Sequence, residues 1–347
     1  MKPKVRTFTA LLIMCLLIAG TTARAEEQTK EYNESWPVNS VQTLEISNRF
    51  GEVKVADKGG NDVTINVVVT VEAASERRAR ELLDLINVSF NKTGNTVTAE
   101  THISRSFSSR QRFSIDYEVN IPPDKNLDIT NKYGNTFVNV LNADGIFDIQ
   151  YGNISINELN TPDNGTAELN LAYGKSDIQS ANDMNVTVQY SNMNFGTMND
   201  LKLNSKYTKT FIDKVGSVNA ESKYDTFDFE MVGSLKANTK YTHIRMEKLA
   251  ESLNLDAGYG GIQVESVDNA FKDISVTSSY GQVALGLDGA SYSLDASCNY
   301  CGISFPEDNF SGNRMTENHT RTIKGKVGNG AGGNVYIKSR YGEIKLN

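Results

Sequence analysis

Residues 221–230 read ESKYDTFDFE, and the same pattern recurs along the chain at a nearly constant interval. Seventeen residues earlier the sequence reads NSKYTKTFID, and seventeen residues later it reads NTKYTHIRME. Successive tyrosines of this pattern are 17–22 residues apart, except for a gap of 41 before the last one. They are Tyr133, Tyr151, Tyr173, Tyr190, Tyr207, Tyr224, Tyr241, Tyr259, Tyr280, Tyr300 and Tyr341. Because the spacing, the aromatic residue and the flanking pattern agree, the sequence indicates a repeat architecture.

Each repeat is predicted to form a strand, a corner and a second strand. In residues 168–178, ELNLAYGKSDI, the side chains of Leu169, Leu171 and Tyr173 share one face because side chains alternate along a strand. Gly174 breaks the alternation, and Ile178 resumes the inward set. Glycine tolerates a turn that other residues resist, but several repeats have Thr, Asp, Ser or Cys here. The corner is therefore not expected to require a positive φ.

A unit this short cannot bury its own apolar face, and stacking the copies about 4.8 Å apart solves that problem. We therefore predict an all-β fold, a single-stranded parallel β-helix (β-solenoid), with one amphipathic helix near its N-terminal end. Right-handed winding is expected, since repeats of 17 residues do not divide into the six-residue turns of left-handed solenoids.

The tyrosines are predicted to form a structural aromatic ladder at the corners. Their parity with Leu169 and Leu171 places them on the buried side, and stacked rings contribute roughly 0.5–1.5 kcal/mol per pair beyond burial. The alternative is that the rings face solvent and form a platform for carbohydrate.

The first residues have the features of a secretory signal peptide. MKPKVR is basic, LLIMCLLIAG is a short apolar run, and ARA supplies small residues for cleavage. Cleavage is predicted between Ala25 and Glu26. A lipid-modified Cys15 is the less favoured alternative, because Met14 rather than a small residue precedes it. No later segment approaches the roughly 20 apolar residues of a transmembrane helix.

The mature chain is predicted to be acidic. Removal of residues 1–25 leaves 31 of the 35 basic residues and all 42 acidic residues, a net charge of −11. This charge argues against nucleic acid or anionic lipid as a partner and favours a soluble exported protein.

Two cysteines remain in the mature chain, in the motif CNYC at Cys298 and Cys301. In an oxidising compartment this motif predicts a local disulfide. A zinc site would need a second pair of ligands, and His102, His243 and His319 are scattered along the sequence.

The chain divides into an N-terminal β-rich segment at 26–125 and a solenoid at 126–347 with coils of about 17–22 residues. A helix is predicted at about 75–86, with Ser75 as its N-cap. It is expected to cover the open apolar end of the first coil. An irregular Gly- and Asn-rich insertion at 302–330 accounts for the long gap between tyrosines.

The organisation resembles the exported bacterial β-strand-repeat proteins known as the "putative adhesin" family, a group of unknown function. The similar features are EISNRFGEVKV, YEVNIPPDKNLDITNKYGNTFV, repeated YGxIxI and the closing GKVGNGAGGNVYIKSRYGEIKL. The resemblance covers nearly the whole mature chain. It implies a solenoid at the cell envelope or surface, and the adhesin function rests on analogy with other solenoids.

No catalytic, cofactor-binding or metal-binding residues are predicted. The outward carboxylates expected from the pattern are those of a solvated strand face, and a polysaccharide-active enzyme is the least favoured alternative. These carboxylates are Asp177, Asp213, Asp225, Asp228 and Glu230. The favoured function is a non-enzymatic scaffold that binds a glycan or an envelope protein. A periplasmic structural or envelope-stress component is the second alternative.

Overall fold

A computed structural model describes residues 26–110 and 112–347, and it confirms an all-β solenoid of about nine turns. The predicted signal peptide, residues 1–25, lies outside the described residues. The right-handed winding stays a prediction.

The N-terminal elements are β1 (Glu26–Pro37), β2 (Thr43–Arg49), β3 (Val53–Ala56), β4 (Asp62–Ala73), α1 (Glu76–Leu83), β5 (Ile86–Thr93), β6 (Thr96–Ile103) and β7 (Phe113–Asn120). The repeats contain β8 (Asn126–Lys132), β9 (Thr136–Leu141), β10 (Gly145–Gln150), β11 (Asn153–Leu159), β12 (Ala167–Ala172), β13 (Lys175–Gln189), β14 (Asn192–Lys206), β15 (Lys209–Lys223), β16 (Thr226–Lys240), β17 (His243–Gly258), β18 (Ile262–Val267), β19 (Asp273–Ser279) and β20 (Val283–Leu285). The remaining strands are β21 (Tyr292–Asn299), β22 (Ile303–Ser304), β23 (Phe310–Glu317), β24 (Thr320–Val327), β25 (Asn334–Arg340) and β26 (Ile344–Leu346). Two short 3₁₀ turns lie at Val38–Ser40 and Glu307–Asn309.

Successive coils pair in parallel, with equivalent residues of each repeat directly above one another. In the central coils, Val186 pairs with Leu203, and Leu203 pairs with Ala220. All three residues are buried, and they belong to one continuous apolar core that runs the length of the stack. Alternation of inward apolar and outward polar side chains therefore builds the interior, as the sequence pattern predicts.

The N-terminal segment contributes the first coil and extends both of its sheets. Strand β2 pairs with β8 and β3 pairs with β9, all in parallel. Beyond them, β6 and β5 extend one sheet, and β7, β4 and β1 extend the other. Helix α1 connects β4 to β5 and packs against both of them and against β1.

Helix α1 is shorter than the predicted span of 75–86. It begins after Ser75, whose Oγ accepts a hydrogen bond from the backbone N–H of Arg78, and Ile86 already belongs to β5. Its buried residues Ala79, Leu82 and Leu83 form the apolar stripe. That the helix protects the end of the stack stays a prediction. No helix in the described ranges has the length and apolar character needed to cross a bilayer.

The coils near the C-terminal end do not follow the order of the sequence. Strand β25 lies between β19 and β21, and β26 lies between β20 and β22. Stacking in chain order would place the coil of Tyr341 last, after that of Tyr300, and the structure does not have this order. The connection from β20 to β21 leaves a gap one strand wide, and residues 334–346 fill it. We call these residues the intercalated coil.

The insertion at 302–330 is not irregular as predicted, because it contains an antiparallel hairpin. Strands β23 and β24 pair with each other, and β24 pairs antiparallel with β21. The hairpin thus continues one sheet beyond the last parallel coil. Phe310 at its start packs edge-on against Phe305.

Candidate functional site: the tyrosine ladder and the neighbouring groove

Every corner has a left-handed backbone at the aromatic residue. The φ angles of Phe50 and of all eleven repeat tyrosines lie between 52° and 64°. The expectation that the corner needs no positive φ is therefore wrong: the positive φ belongs to the tyrosine and not to the residue after it. For an L-residue this conformation costs roughly 1–2 kcal/mol.

Because this backbone turns each tyrosine away from its strand's inward face, the predicted burial of the tyrosines is also wrong. The side chains are 42–55% exposed. They are nevertheless stacked as a ladder, with ring centroids 4.7–5.3 Å apart and neighbouring planes within 19° of parallel. Phe50 continues the ladder below Tyr133, and His319 stacks on Tyr300 at the other end.

The ladder presents ring edges and hydroxyl groups to solvent. Each ring face within the stack is covered by the next ring about 5 Å away. A carbohydrate platform needs open ring faces, so the exposed ladder does not have that geometry. Lys206 extends over the ring of Tyr207 and Arg340 over that of Tyr341, so cations flank parts of the ladder.

The interior of the corner is polar in the central coils, and Asp225 lies there. Asp225 is 3% exposed, so its predicted outward position is wrong. Its carboxylate accepts hydrogen bonds from the hydroxyls of Ser205 and Ser222 at 2.7 and 2.6 Å. It also accepts from the backbone N–H groups of Thr208 and Lys223 at 2.7 and 3.1 Å. This carboxylate is a structural acceptor that joins two coils.

Cys298 and Cys301 occupy the corner positions that Ser222 and Asp225 occupy in their coil. Each pair lies two residues before and one residue after a ladder tyrosine. In the structure the two cysteines form a disulfide, with Cα atoms 5.4 Å apart. The disulfide therefore makes the same link across the corner that the Ser222–Asp225 hydrogen bond makes without a covalent bond.

Where glycine follows the tyrosine, the coils approach too closely for a side chain. A Cβ atom added to Gly152 would lie 1.9 Å from the carbonyl oxygen of Gly134 in the preceding coil. The glycine therefore permits close backbone contact rather than a positive φ.

A groove of about 540 Å³ opens on the outward face beside the ladder. It forms where Gly261 and Ala284 stand at outward positions that have longer side chains in most other coils. The neighbouring coils provide the walls, and the edges of Tyr259 and Tyr280 form one side. The polar side chains that line it are Thr226, Asp228, His243, Arg245, Gln263 and Gln282.

Arg245 is paired with two carboxylates in the groove, which leaves these three groups with a net charge of −1. Arg245 donates to the Glu265 carboxylate at 2.9 Å and lies 4.0 Å from Asp228. Glu265 foremost, and Asp228 to a lesser degree, raise the pKa of Arg245, so the guanidinium stays charged. Because both carboxylates contact this cation, the groove offers an ion-paired cluster beside the amide groups of Gln263 and Gln282 and the His243 side chain.

The other predicted carboxylates do not join this groove. Asp177 and Asp213 line a separate shallow depression with Phe211, and Glu230 is exposed on β16. Another depression lies beside the 302–330 segment, between Asp295 and Lys324, which form an ion pair. Within residues 26–110 and 112–347 no group of three or more His, Cys, Asp or Glu side chains could hold a metal ion.

Sequence reasoning missed the groove because its polar residues come from four successive coils, 17–19 residues apart along the chain. The consecutive glycines of YGGIQV, at Gly260 and Gly261, were the available signal. They remove an outward side chain from one coil, but only the stack shows which residues face the resulting space.

No family model matches the chain, and no curated protein matches it. Several solved structures match the chain. A "putative cell adhesion protein" from Clostridium sporogenes has 7% identity and a TM-score of 0.20, with 92% of this chain and 99% of that chain covered. A "putative adhesin" from Parabacteroides distasonis has 10% identity and a TM-score of 0.38, with 74% and 94% covered. A "putative lipid binding protein" from the same species has 12% identity and a TM-score of 0.36, with 74% and 96% covered. Adhesin descriptions recur among these similar structures.

Replacing Tyr224 should separate ring stacking from backbone strain. Tyr224→Ala loses the stacks with Tyr207 and Tyr241 and keeps the left-handed backbone, so it should destabilise the protein by roughly 1–3 kcal/mol. Tyr224→Gly loses the same stacks but relieves the strain, so it should be about 1 kcal/mol more stable than the alanine variant. Chemical denaturation of both variants measures the difference.

Tyr336 is the matched control, because it is 46% exposed but lies in the extended strand β25. There glycine should be less stable than alanine, since glycine weakens a strand. If the glycine variant is less stable than the alanine variant at Tyr224 as well, backbone strain at the corner does not contribute to the difference.

Asp225→Ala should be much more destabilising than an alanine substitution at an exposed carboxylate. It leaves the N–H of Thr208 and the hydroxyl of Ser205 without their acceptor, at a cost of roughly 2–4 kcal/mol. Asp213→Ala, on the exposed face of β15, should change stability by less than about 0.5 kcal/mol. Equal unfolding midpoints for the two variants would contradict a structural role for Asp225.

Proposed function

We propose that the chain is an exported, non-enzymatic, adhesin-like scaffold that binds a neutral glycan at the cell envelope through the groove. Export after cleavage between Ala25 and Glu26 is part of this proposal. The groove is the observation that supports it most strongly. It combines polar side chains from several coils in one concave site, as ligand sites do.

The chemistry of the groove favours a sugar over an ion. Sugar hydroxyl groups both donate and accept hydrogen bonds, and Gln263, Gln282 and His243 supply both kinds of partner. Because the charge of Arg245 is already balanced by Glu265 and Asp228, an anionic ligand would have to displace these carboxylates. A neutral glycan requires no such exchange.

The same ion pairs argue against a polysaccharide-active enzyme. Glycoside hydrolysis uses two carboxyl groups that flank the scissile bond, one of them as a proton donor. Asp228 and Glu265 instead contact the guanidinium of Arg245. Asp225, three residues before Asp228, is inside the corner and holds two coils together. The groove is therefore better suited to binding than to cleavage.

Filling the groove should abolish glycan binding without unfolding the protein. Ala284→Arg adds a long side chain at the fourth position after Tyr280, and we expect it to reduce binding at least tenfold on an array of neutral oligosaccharides. Ser155→Arg is the matched control, because Ser155 occupies the fourth position after Tyr151, in a coil outside the groove. The glycan proposal fails if the wild-type protein binds no oligosaccharide, or if both variants bind as it does.

Protease treatment of intact cells tests the adhesin-like location. The loop between β6 and β7 has exposed arginines at Arg105 and Arg110, so trypsin should cleave there wherever it reaches the protein. A surface adhesin should yield fragments beginning at Ser106 or Gln111 in intact cells. Resistance in intact cells, with cleavage after lysis, would instead support the periplasmic envelope component, and a known periplasmic protein provides the control for leakage.

A further inference from the structure

The intercalated coil lies between two coils that both precede it in the sequence. Seven residues of β25 pair with β19 on one side and seven with β21 on the other. Strand β26 continues between β20 and β22. The ring of Tyr341 likewise lies between those of Tyr280 and Tyr300, at 4.8 and 5.3 Å.

Removing this coil would leave a slot with strand edges on both sides. The slot lies between β19 and β21 in one sheet and between β20 and β22 in the other. Its interior is apolar, because the inward residues of the intercalated coil are fully buried against the core. These are Val335, Ile337, Ile344 and Leu346. Such an open edge accepts an added strand readily.

The intercalated coil is attached to the hairpin through a short glycine-rich segment. Residues 328–333, GNGAGG, connect β24 to β25, and both Gly328 and Gly330 have positive φ. Most of the binding contacts belong to the coil itself rather than to this connection. The same residues of another chain would therefore make the same backbone and side-chain contacts in the slot.

We propose that the slot is an interaction surface for a second copy of this chain, and that the intercalated coil of one molecule can occupy the slot of another. In the exchange, each contact of the intercalated coil is replaced by the same contact in another molecule. The contacts that change are those of residues 328–333, such as the hydrogen bond from the Gly328 N–H to the carbonyl oxygen of Asn309. The exchange would couple solenoids to one another at the cell envelope, and it does not depend on the groove or on a glycan.

Crosslinking between full-length chains tests the exchange. Thr277 and Lys338 are exposed register partners on β19 and β25. Chains with Thr277→Cys are mixed with chains with Lys338→Cys, incubated, and treated with a short thiol-reactive crosslinker. We expect a covalent dimer, seen on a denaturing gel, whose amount increases with incubation time. An excess of a synthetic peptide of residues 334–347 should suppress it, and the same peptide with Ile337→Asp should not.

The matched control uses a register pair that does not involve the intercalated coil. Asp256 and Thr277 are exposed partners on β17 and β19. A mixture of Asp256→Cys and Thr277→Cys chains should give at least tenfold less dimer. Both pairs should crosslink equally well when placed within one chain, which verifies the register. Dimer no greater than in this control, or insensitive to the wild-type peptide, would overturn the proposal.

Discussion

Ring stacking at the corners compensates for the free-energy cost of the left-handed backbone conformation at each aromatic residue. Twelve aromatic residues have the left-handed conformation at the point where the chain turns from one sheet to the other. The parallel sheet spaces these corners at about the distance at which aromatic rings stack. One residue type therefore both directs the turn and binds its equivalents above and below. The ladder can be exposed and still stabilise the stack, because each ring is covered by its neighbours rather than by the core.

Beneath the tyrosines, the corner is held together in several chemically different ways. Some coils have glycine, which allows the backbones to approach closely. The central coils have Ser, Thr or Asp, and Asp225 accepts four hydrogen bonds from two coils. One coil has the Cys298–Cys301 disulfide. The corner therefore tolerates sequence variation as long as the backbone follows the same path, which explains why the residue after the tyrosine varies while the tyrosine recurs.

Departures from regularity are what give the scaffold its individual features. Small residues at Gly261 and Ala284 open the groove in a face that longer side chains cover elsewhere. The connection before β21 omits one coil and so creates the slot that residues 334–346 fill. A perfectly regular solenoid would have neither a concave site nor an exchangeable strand. Both proposals made for this protein, glycan binding and exchange between copies, arise from interruptions of the repeat.

The all-β solenoid, the position of each corner and the inward apolar positions could all be predicted from the sequence, because they depend on local alternation and on the period of the repeat. The direction in which the tyrosines face could not be predicted from the sequence. A positive φ reverses the alternation of inward and outward side chains, and no residue type in the repeat indicates it. The sequence pattern placed Asp225 outside for the same reason. Three features became visible only in the folded structure. They are the position of residues 334–346 between two earlier coils, the end of the ladder at His319 and the groove around Arg245. Each depends on which coils become neighbours in space, and strand edges pair by shape and hydrogen bonding whatever their order along the chain.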